Sequence, residues 1–198
     1  MPLLRFKTRR RAVVSMTAVV AVLLAGGIAA ALADGGTASG ETYVDGNPSA
    51  VLYTAGHRAQ VPDFSGTTLT GTHLRFSSYR GKVVVLNFWG SWCAPCRSEG
   101  PTLAALSARY QGSGVQFLGV DVEDTPTNAE AFEQGFGIKY PSLNDPGQSV
   151  AQVLGSAAPV TGTPTTLVID KSGQLAGAIF GTATYSVLES MLSKVAAS

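Results

Sequence analysis

Between Lys82 and Gly90 the chain reads KVVVLNFWG, an apolar run interrupted only by Asn87. Such a run, rich in β-branched residues, predicts a strand buried on both faces, the kind found inside a parallel or mixed sheet. GVQFLGVDV, residues 114–122, predicts a second strand of the same kind. Between them the period lengthens: Leu103, Leu106 and Tyr110 recur at three- and four-residue spacing, which predicts a helix from Ala94 to Tyr110. TNAEAFEQGFG predicts another helix, with Thr127 or Asn128 as cap and Gly137 as stop. YPSLNDPGQSVAQVLG adds a short strand and a short helix, and TPTTLVIDKSGQLAGAIFG reads as two strands joined at Lys171-Ser172-Gly173. A helix from Ala183 to Ala197 closes the chain. Upstream, PDFSGTTLTGTHLRFSSYRG alternates apolar and polar positions around Gly66 and Gly71, which predicts a β-hairpin. The whole pattern is that of an α/β fold, a mixed central sheet flanked by helices, without internal repeats.

The first 33 residues follow a different rule. Arg5, Lys7, Arg9, Arg10 and Arg11 precede an uncharged stretch of 22 residues, Ala12 to Ala33. That length can cross a hydrocarbon core of roughly 30 Å, and the basic residues in front keep the N-terminus in the cytoplasm. Ala31-Leu32-Ala33 before Asp34 also has the small-x-small pattern of a cleavage site, so residues 1–33 read as a signal peptide or a signal anchor. Either way, the body is expected to work on the extracytoplasmic side of the bacterial cell membrane: anchored through residues 12–33 if they are retained, secreted if they are removed. Residues 34–58, rich in Gly, Ser and Thr, read as a flexible tether, which leaves 59–198 as the folded domain.

Charge narrows the function. The net charge is +1, but the five N-terminal basic residues account for it; the remainder carries nine basic against thirteen acidic residues. A mildly acidic body argues against nucleic acid as a partner.

The chain has two cysteines, Cys93 and Cys96, separated by Ala94-Pro95. A structural disulfide over so short a loop removes little entropy from the unfolded chain. Zinc would need a second pair of ligands, and His57 and His73 do not have ligand-like spacing, so no metal is expected. What remains is redox chemistry. The pair follows a buried strand and opens a helix, where free N–H groups and the helix dipole favour a thiolate. In that layout Cys93 is the exposed nucleophile, Cys96 the more buried resolving thiol, and Pro95 fits the first helical turn.

The stretch NFWGSWCAPCRSEGP (87–101) resembles the thioredoxin superfamily, and within it the membrane-tethered TlpA/ResA/CcmG (DsbE) group of extracytoplasmic thiol–disulfide oxidoreductases. The hairpin before the first central strand and the αβ insertion after the second are similar to that group, and GTPTTLVID looks like its cis-proline loop. The resemblance implies a thioredoxin-like fold with an N-terminal β-hairpin and a central αβ insertion. It makes Thr163-Pro164 a cis peptide beside Cys93, where the Thr163 backbone would pair with substrate, and Trp92 a shield on one side of the disulfide. Trp89 is expected in the core. Pro101 should cost the helix one hydrogen bond.

Cytoplasmic thioredoxins carry a buried Asp where this chain has Asn87. The TlpA/ResA-like group instead places Glu three residues after the second cysteine, here Glu99, which would take the proton of the resolving thiol or else stand as a solvated helix acid. Asp121, Glu123 and Asp124 read as a solvated acidic turn, and Arg97 and Arg109 as helix-surface charges.

The resemblance therefore implies a protein thiol–disulfide oxidoreductase whose only redox group is the Cys93–Cys96 disulfide, without a cofactor. It would draw electrons from a membrane thiol transporter of the CcdA type and reduce the haem-binding cysteines of apocytochrome c or other exported thiol proteins. The opposite direction, a DsbE-like oxidase of exported proteins, stays open. Gly90-Ser91-Trp92-Cys93 lacks the Thr-x-x-Cys of a peroxidase. A binding module without turnover would have no use for an intact dithiol.

Overall fold

The two apolar runs do become the centre of a sheet. The computed structural model describes residues 40–197. β5 (Val83–Trp89) is buried along its whole length and pairs in parallel with β6 (Val115–Val122) and antiparallel with β8 (Thr165–Ile169). Adding β1 (Glu41–Val44), β2 (Asn47–Tyr53), β7 (Ser142–Asp145) and β9 (Leu175–Phe180) gives a seven-stranded mixed sheet in the order β1-β2-β9-β8-β5-β6-β7. The hairpin β3 (Ser65–Thr67) and β4 (His73–Arg75) forms a separate two-stranded sheet, followed by a short 3-10 turn at Phe76–Tyr79.

Four helices complete the described residues: α1 (Ala94–Arg109), α2 (Pro126–Phe136), α3 (Ser149–Leu154) and α4 (Tyr185–Ala196). One core layer lies under α1, α2 and α4 and contains Val85, Leu103, Leu106, Phe132, Leu188 and Met191. The other lies under the β3–β4 region and α3 and contains Phe64, Phe76, Leu86, Leu118, Leu143 and Leu154. α1 continues through Pro101, which has no N–H to give the Arg97 carbonyl. α2 starts earlier than its sequence suggests. Thr125, not Thr127 or Asn128, is the cap: its hydroxyl accepts from Asn128 N at 3.4 Å, because Pro126 fits the first helical position. Gly137 ends the helix at φ 69°, a left-handed cap that glycine adopts without a Cβ penalty.

The tether reading of residues 34–58 needs correction. Residues 41–53 form β1 and β2, and β2 pairs with β9 through Ala50↔Ile179, Val51↔Ala178 and Leu52↔Gly177. The physical reason is a hairpin turn at Asp45-Gly46, both with positive φ (51° and 73°), which lets Val44 and Ala50 reach full burial. The folded domain thus begins by residue 41 rather than 59. The expected signal at residues 1–33, and the span expected within it, lie outside the described residues. Among the described residues no helix is long and apolar enough to cross a membrane.

Candidate active site

β5 delivers the site. It ends in Trp89, 1% exposed and stacked on Phe132 at 4.5 Å, so the backbone leaves the sheet from a fixed point. Gly90 follows because a Cβ there would come within 2.5 Å of Trp92 Nε1 and 3.1 Å of the Val122 carbonyl. The loop is then fastened from the end of β6 and the turn after it: Ser91 N donates to Asp124 Oδ2 at 2.6 Å, and Trp92 Nε1 donates to Val122 O at 3.3 Å. Burial opposes ionisation of Asp124, but hydrogen bonds from Ser91, Thr125 and Asn128 hold its carboxyl below the usual range.

Cys93 caps α1 and is joined to Cys96 in a disulfide, with Cα atoms 5.3 Å apart. Cys93 Sγ accepts from Cys96 N at 3.3 Å, and Pro95 occupies the first turn. A sulfur in that position feels the N–H groups and positive end of the helix, which is how the fold would stabilise a thiolate there. Cys96 is 1% exposed, as a resolving thiol should be, but Cys93 is only 4% exposed. The expected exposed nucleophile is in fact a slot, because in the disulfide Cys93 Sγ turns toward the opposite loop and lies 3.7 Å from Thr163 O. That loop contains the Thr163–Pro164 peptide, which is cis. Thr165 Oγ1 holds it to Gly162 O at 2.6 Å, and Pro164 O accepts from Gly181 N at 2.9 Å. Trp92, 53% exposed, is the large apolar side chain at the rim. Cys93, Thr163 and Pro164 therefore meet in one place, while Trp92 lines a hollow with Arg97, Asn128 and Phe132 on the α2 side.

Glu99 is not a solvated helix acid. It is 1% exposed; Oε1 accepts from Asn87 Nδ2 at 2.8 Å and Oε2 from Ala183 N at 2.7 Å. Asn87 is itself tied to Thr166 Oγ1 at 3.0 Å. Burial pushes the Glu99 carboxyl up to about 7, with the Ala183 and Asn87 bonds pulling the other way. A group balanced near neutrality, one turn beyond the resolving thiol, is able to take and give a proton.

The sequence reading missed what surrounds it. Sheet register sets Thr166, Asn87, Gly119 and Ser142 in one row across four strands, and Trp89, Asp121 and Asn144 two rows on, on the same face. Asp121 is fully buried rather than part of a solvated turn, with neither oxygen partnered. Burial pushes its carboxyl up to about 8, and Asp124 and Glu133 add repulsion. The sequence held one clue: an acid inside a strand read as buried on both faces. Glu123 is exposed, as are Arg97 and Arg109, the latter paired with Glu189 at 2.9 Å. His57 and His73 are exposed as well. Among the described residues no three His, Cys, Asp or Glu side chains are placed to hold a metal ion.

Residues 58–178 match the AhpC/TSA family. The chain belongs to that family. The thiol–disulfide oxidoreductase ResA of Geobacillus thermodenitrificans is 39% identical over 134 residues, 68% of this chain and 75% of that protein. Among solved structures, a DsbF homologue from Corynebacterium diphtheriae has a TM-score of 0.69 at 34% identity, covering 78% of this chain and 98% of the other. A secreted thiol-disulfide isomerase from Corynebacterium glutamicum also scores 0.69, at 31% identity, with 80% and 100% covered. Within the AhpC/TSA family the chain is a thioredoxin-like thiol–disulfide oxidoreductase of the ResA kind, with a disulfide at the N-terminus of α1.

Proposed function

We propose that this oxidoreductase works outside the cytoplasmic membrane as a reductant, with the Cys93–Cys96 dithiol as its sole electron carrier. Electrons come from a membrane thiol transporter of the CcdA type and pass to the haem-binding cysteines of apocytochrome c or to other exported thiol proteins. Residues 12–33, when retained, hold the domain at the membrane. The client strand pairs with the Thr163 backbone at the cis-Pro164 loop, against Trp92. Cys93 attacks the client disulfide; Cys96 then gives its proton to Glu99 and attacks Cys93, closing the enzyme's disulfide and releasing the client thiolate.

The observation that carries this reading is Glu99, buried one turn below Cys96, held by Asn87 and Ala183, and balanced to about 7. Its negative form disfavours a nearby thiolate, and a less stable thiolate makes a better reductant. The likeness to the DsbF homologue favours a second reading, a DsbE-like oxidase that forms disulfides in exported proteins. The equilibrium reduction potential of the pair separates them. A value near roughly −230 mV or below supports the reductant, and one near about −120 mV moves the assignment to the oxidase.

A further inference from the structure

Beside the disulfide, on the α2 side, the surface opens into a hollow of about 510 Å³. Neither Cys93 nor the Thr163–Pro164 loop lines it, so it is distinct from the slot where Cys93 Sγ meets Thr163 O. Its floor is aromatic. Phe132 stacks on Trp89, and Phe136 tilts against Phe132 at 4.7 Å. Phe136 can lie close to α1 because Gly100 has no side chain: a Cβ there would come within 2.8 Å of the Phe136 ring. α2 gives the far wall, with Asn128, Ala131 and Gly135 lining the hollow at three- and four-residue spacing. The near wall is Trp92, 53% exposed, its indole fixed by the bond to Val122 O at 3.3 Å. Ser91 N, bonded to Asp124 at 2.6 Å, holds the corner between the two walls. The hollow is therefore preformed, and little ordering is left for a guest to impose.

Arg97 of α1 is the one charged residue among the described residues that line it. It is exposed, and among the described residues its side chain has no ion pair and no hydrogen bond. Its place is also a poor one for a cation. Arg97 lies four residues after the cap of α1, near the positive end of the helix, and the first turn holds no acid to answer it. A carboxylate brought by a partner would answer both charges, and a guanidinium can take it in two parallel bonds. An exposed Trp beside an unpaired Arg is the pairing that protein interfaces use as anchors. Both anchors are near the chemistry: Trp92 precedes Cys93 in the chain, and Arg97 N donates to the Cys93 carbonyl at 3.2 Å.

We propose that this hollow is a client-docking subsite, taking an apolar side chain against Trp92 and Phe136 and the carboxylate of a neighbouring Asp or Glu on Arg97. This deepens the client reading above and rests on it. An extended client advances about 3.3 Å per residue, so the docked pair lies within about three residues of the client cysteine. Backbone pairing at Thr163 accepts any sequence; the hollow adds selection by side chain. The selection holds for either direction of electron flow, because the mixed disulfide at Cys93 is the same in both.

The test uses the reduced full-length protein and Gly/Ser-rich peptides with one cysteine held as its mixed disulfide with 2-mercaptoethanol. Each reaction oxidises the Cys93–Cys96 dithiol by two electrons and releases the peptide and 2-mercaptoethanol as thiols. Four peptides carry Phe-Glu, Phe-Gln, Phe-Lys or Ala-Glu beside the cysteine, before it in one set and after it in another. Acid quench and mass spectrometry give the rate of oxidation. In one set Phe-Glu should react about ten-fold faster than Phe-Lys, a preference that shrinks at high salt. Arg97→Gln should erase the preference, and Arg97→Glu should reverse it. Gly135→Leu fills the hollow without crowding α2, since a Cβ there meets nothing within 4 Å; it should bring Phe-Glu down to the rate of Ala-Glu. 2-Hydroxyethyl disulfide, which has no charge and no side chain to dock, reports the chemistry alone. If Arg97→Gln slows it and all four peptides by the same factor, Arg97 acts on the Cys93 sulfur and the subsite is wrong. If the wild type takes all four peptides equally in both sets, the hollow selects nothing and the subsite falls while the client reading stands. If the small disulfide reacts and no peptide does, the client reading falls and the subsite with it.

Discussion

The two faces of the central sheet are made of the same strands and do different work. On the face under α3 and the β3–β4 hairpin, β5 and β6 present Val84, Leu86, Phe88, Leu118, Val120 and Val122, all buried and all apolar. On the face under α1 and α2, the alternate positions include Asn87, Asp121, Ser142 and Thr166, buried just as deeply. The first face is a dry layer whose contribution is transfer free energy and packing. The second gives up part of that stability to hold Glu99 near neutrality beneath a disulfide. One strand can serve both because its side chains alternate, so chemistry on one side leaves the packing on the other untouched.

The comparison can be broken at its strongest point. Cys93→Ala should abolish disulfide exchange while the protein keeps its fold, since the change touches only the slot; exchange assayed with a disulfide peptide would contradict the site if turnover persisted. Next comes the dry face. Leu118→Ala, at a fully buried position, should cost about 2–5 kcal/mol in denaturant unfolding. The exchange rate of the folded fraction should stay at the wild-type level. A matching fall in rate would mean that the faces are coupled.

The smallest effect belongs to the polar face and has the opposite sign. The folded protein holds the Asp121 carboxyl at about 8 against an ordinary 3.8, so the fold prefers its neutral form. That contribution is fully present below about pH 4 and is lost as pH rises through 8. Asp121→Asn should therefore be neutral in acid and stabilising by about 1–3 kcal/mol above pH 8. Melting curves from pH 4 to 9 would show the two proteins diverging; parallel curves would show that Asp121 is ionised and satisfied in the fold.

Much of this was legible in the chain. The runs 82–90 and 114–122 read as buried strands, the dithiol could be placed from motif and spacing, and Glu99 and the cis-proline loop from the family resemblance. Two things were not. The β1–β2 hairpin hid in a Gly/Ser/Thr-rich stretch whose composition is that of a linker, although Asp45-Gly46 is a strong hairpin turn. The polar tract showed only as an acid, Asp121, inside an apolar run. Asn87, Gly119 and Ser142 are far apart in sequence and become neighbours only through register, which depends on how three separate strands align. The burial of Asp121 follows from that alignment and from Trp89 beside it.

The hairpin has a further consequence, for aggregation. A sheet ends in rows of unpaired N–H and C=O groups that can template the pairing of another chain. Here β1 covers the outer edge of β2, and is itself only four residues long with a register shift after Tyr43. At the far side, β7 is met by Thr68, bridged to Leu143, and by Leu69 N, which donates to Ser142 O at 2.9 Å. For a catalyst proposed to meet unfolded exported chains, blunting both edges keeps clients from adding to the sheet and leaves the Thr163 backbone beside Cys93 as the place to pair.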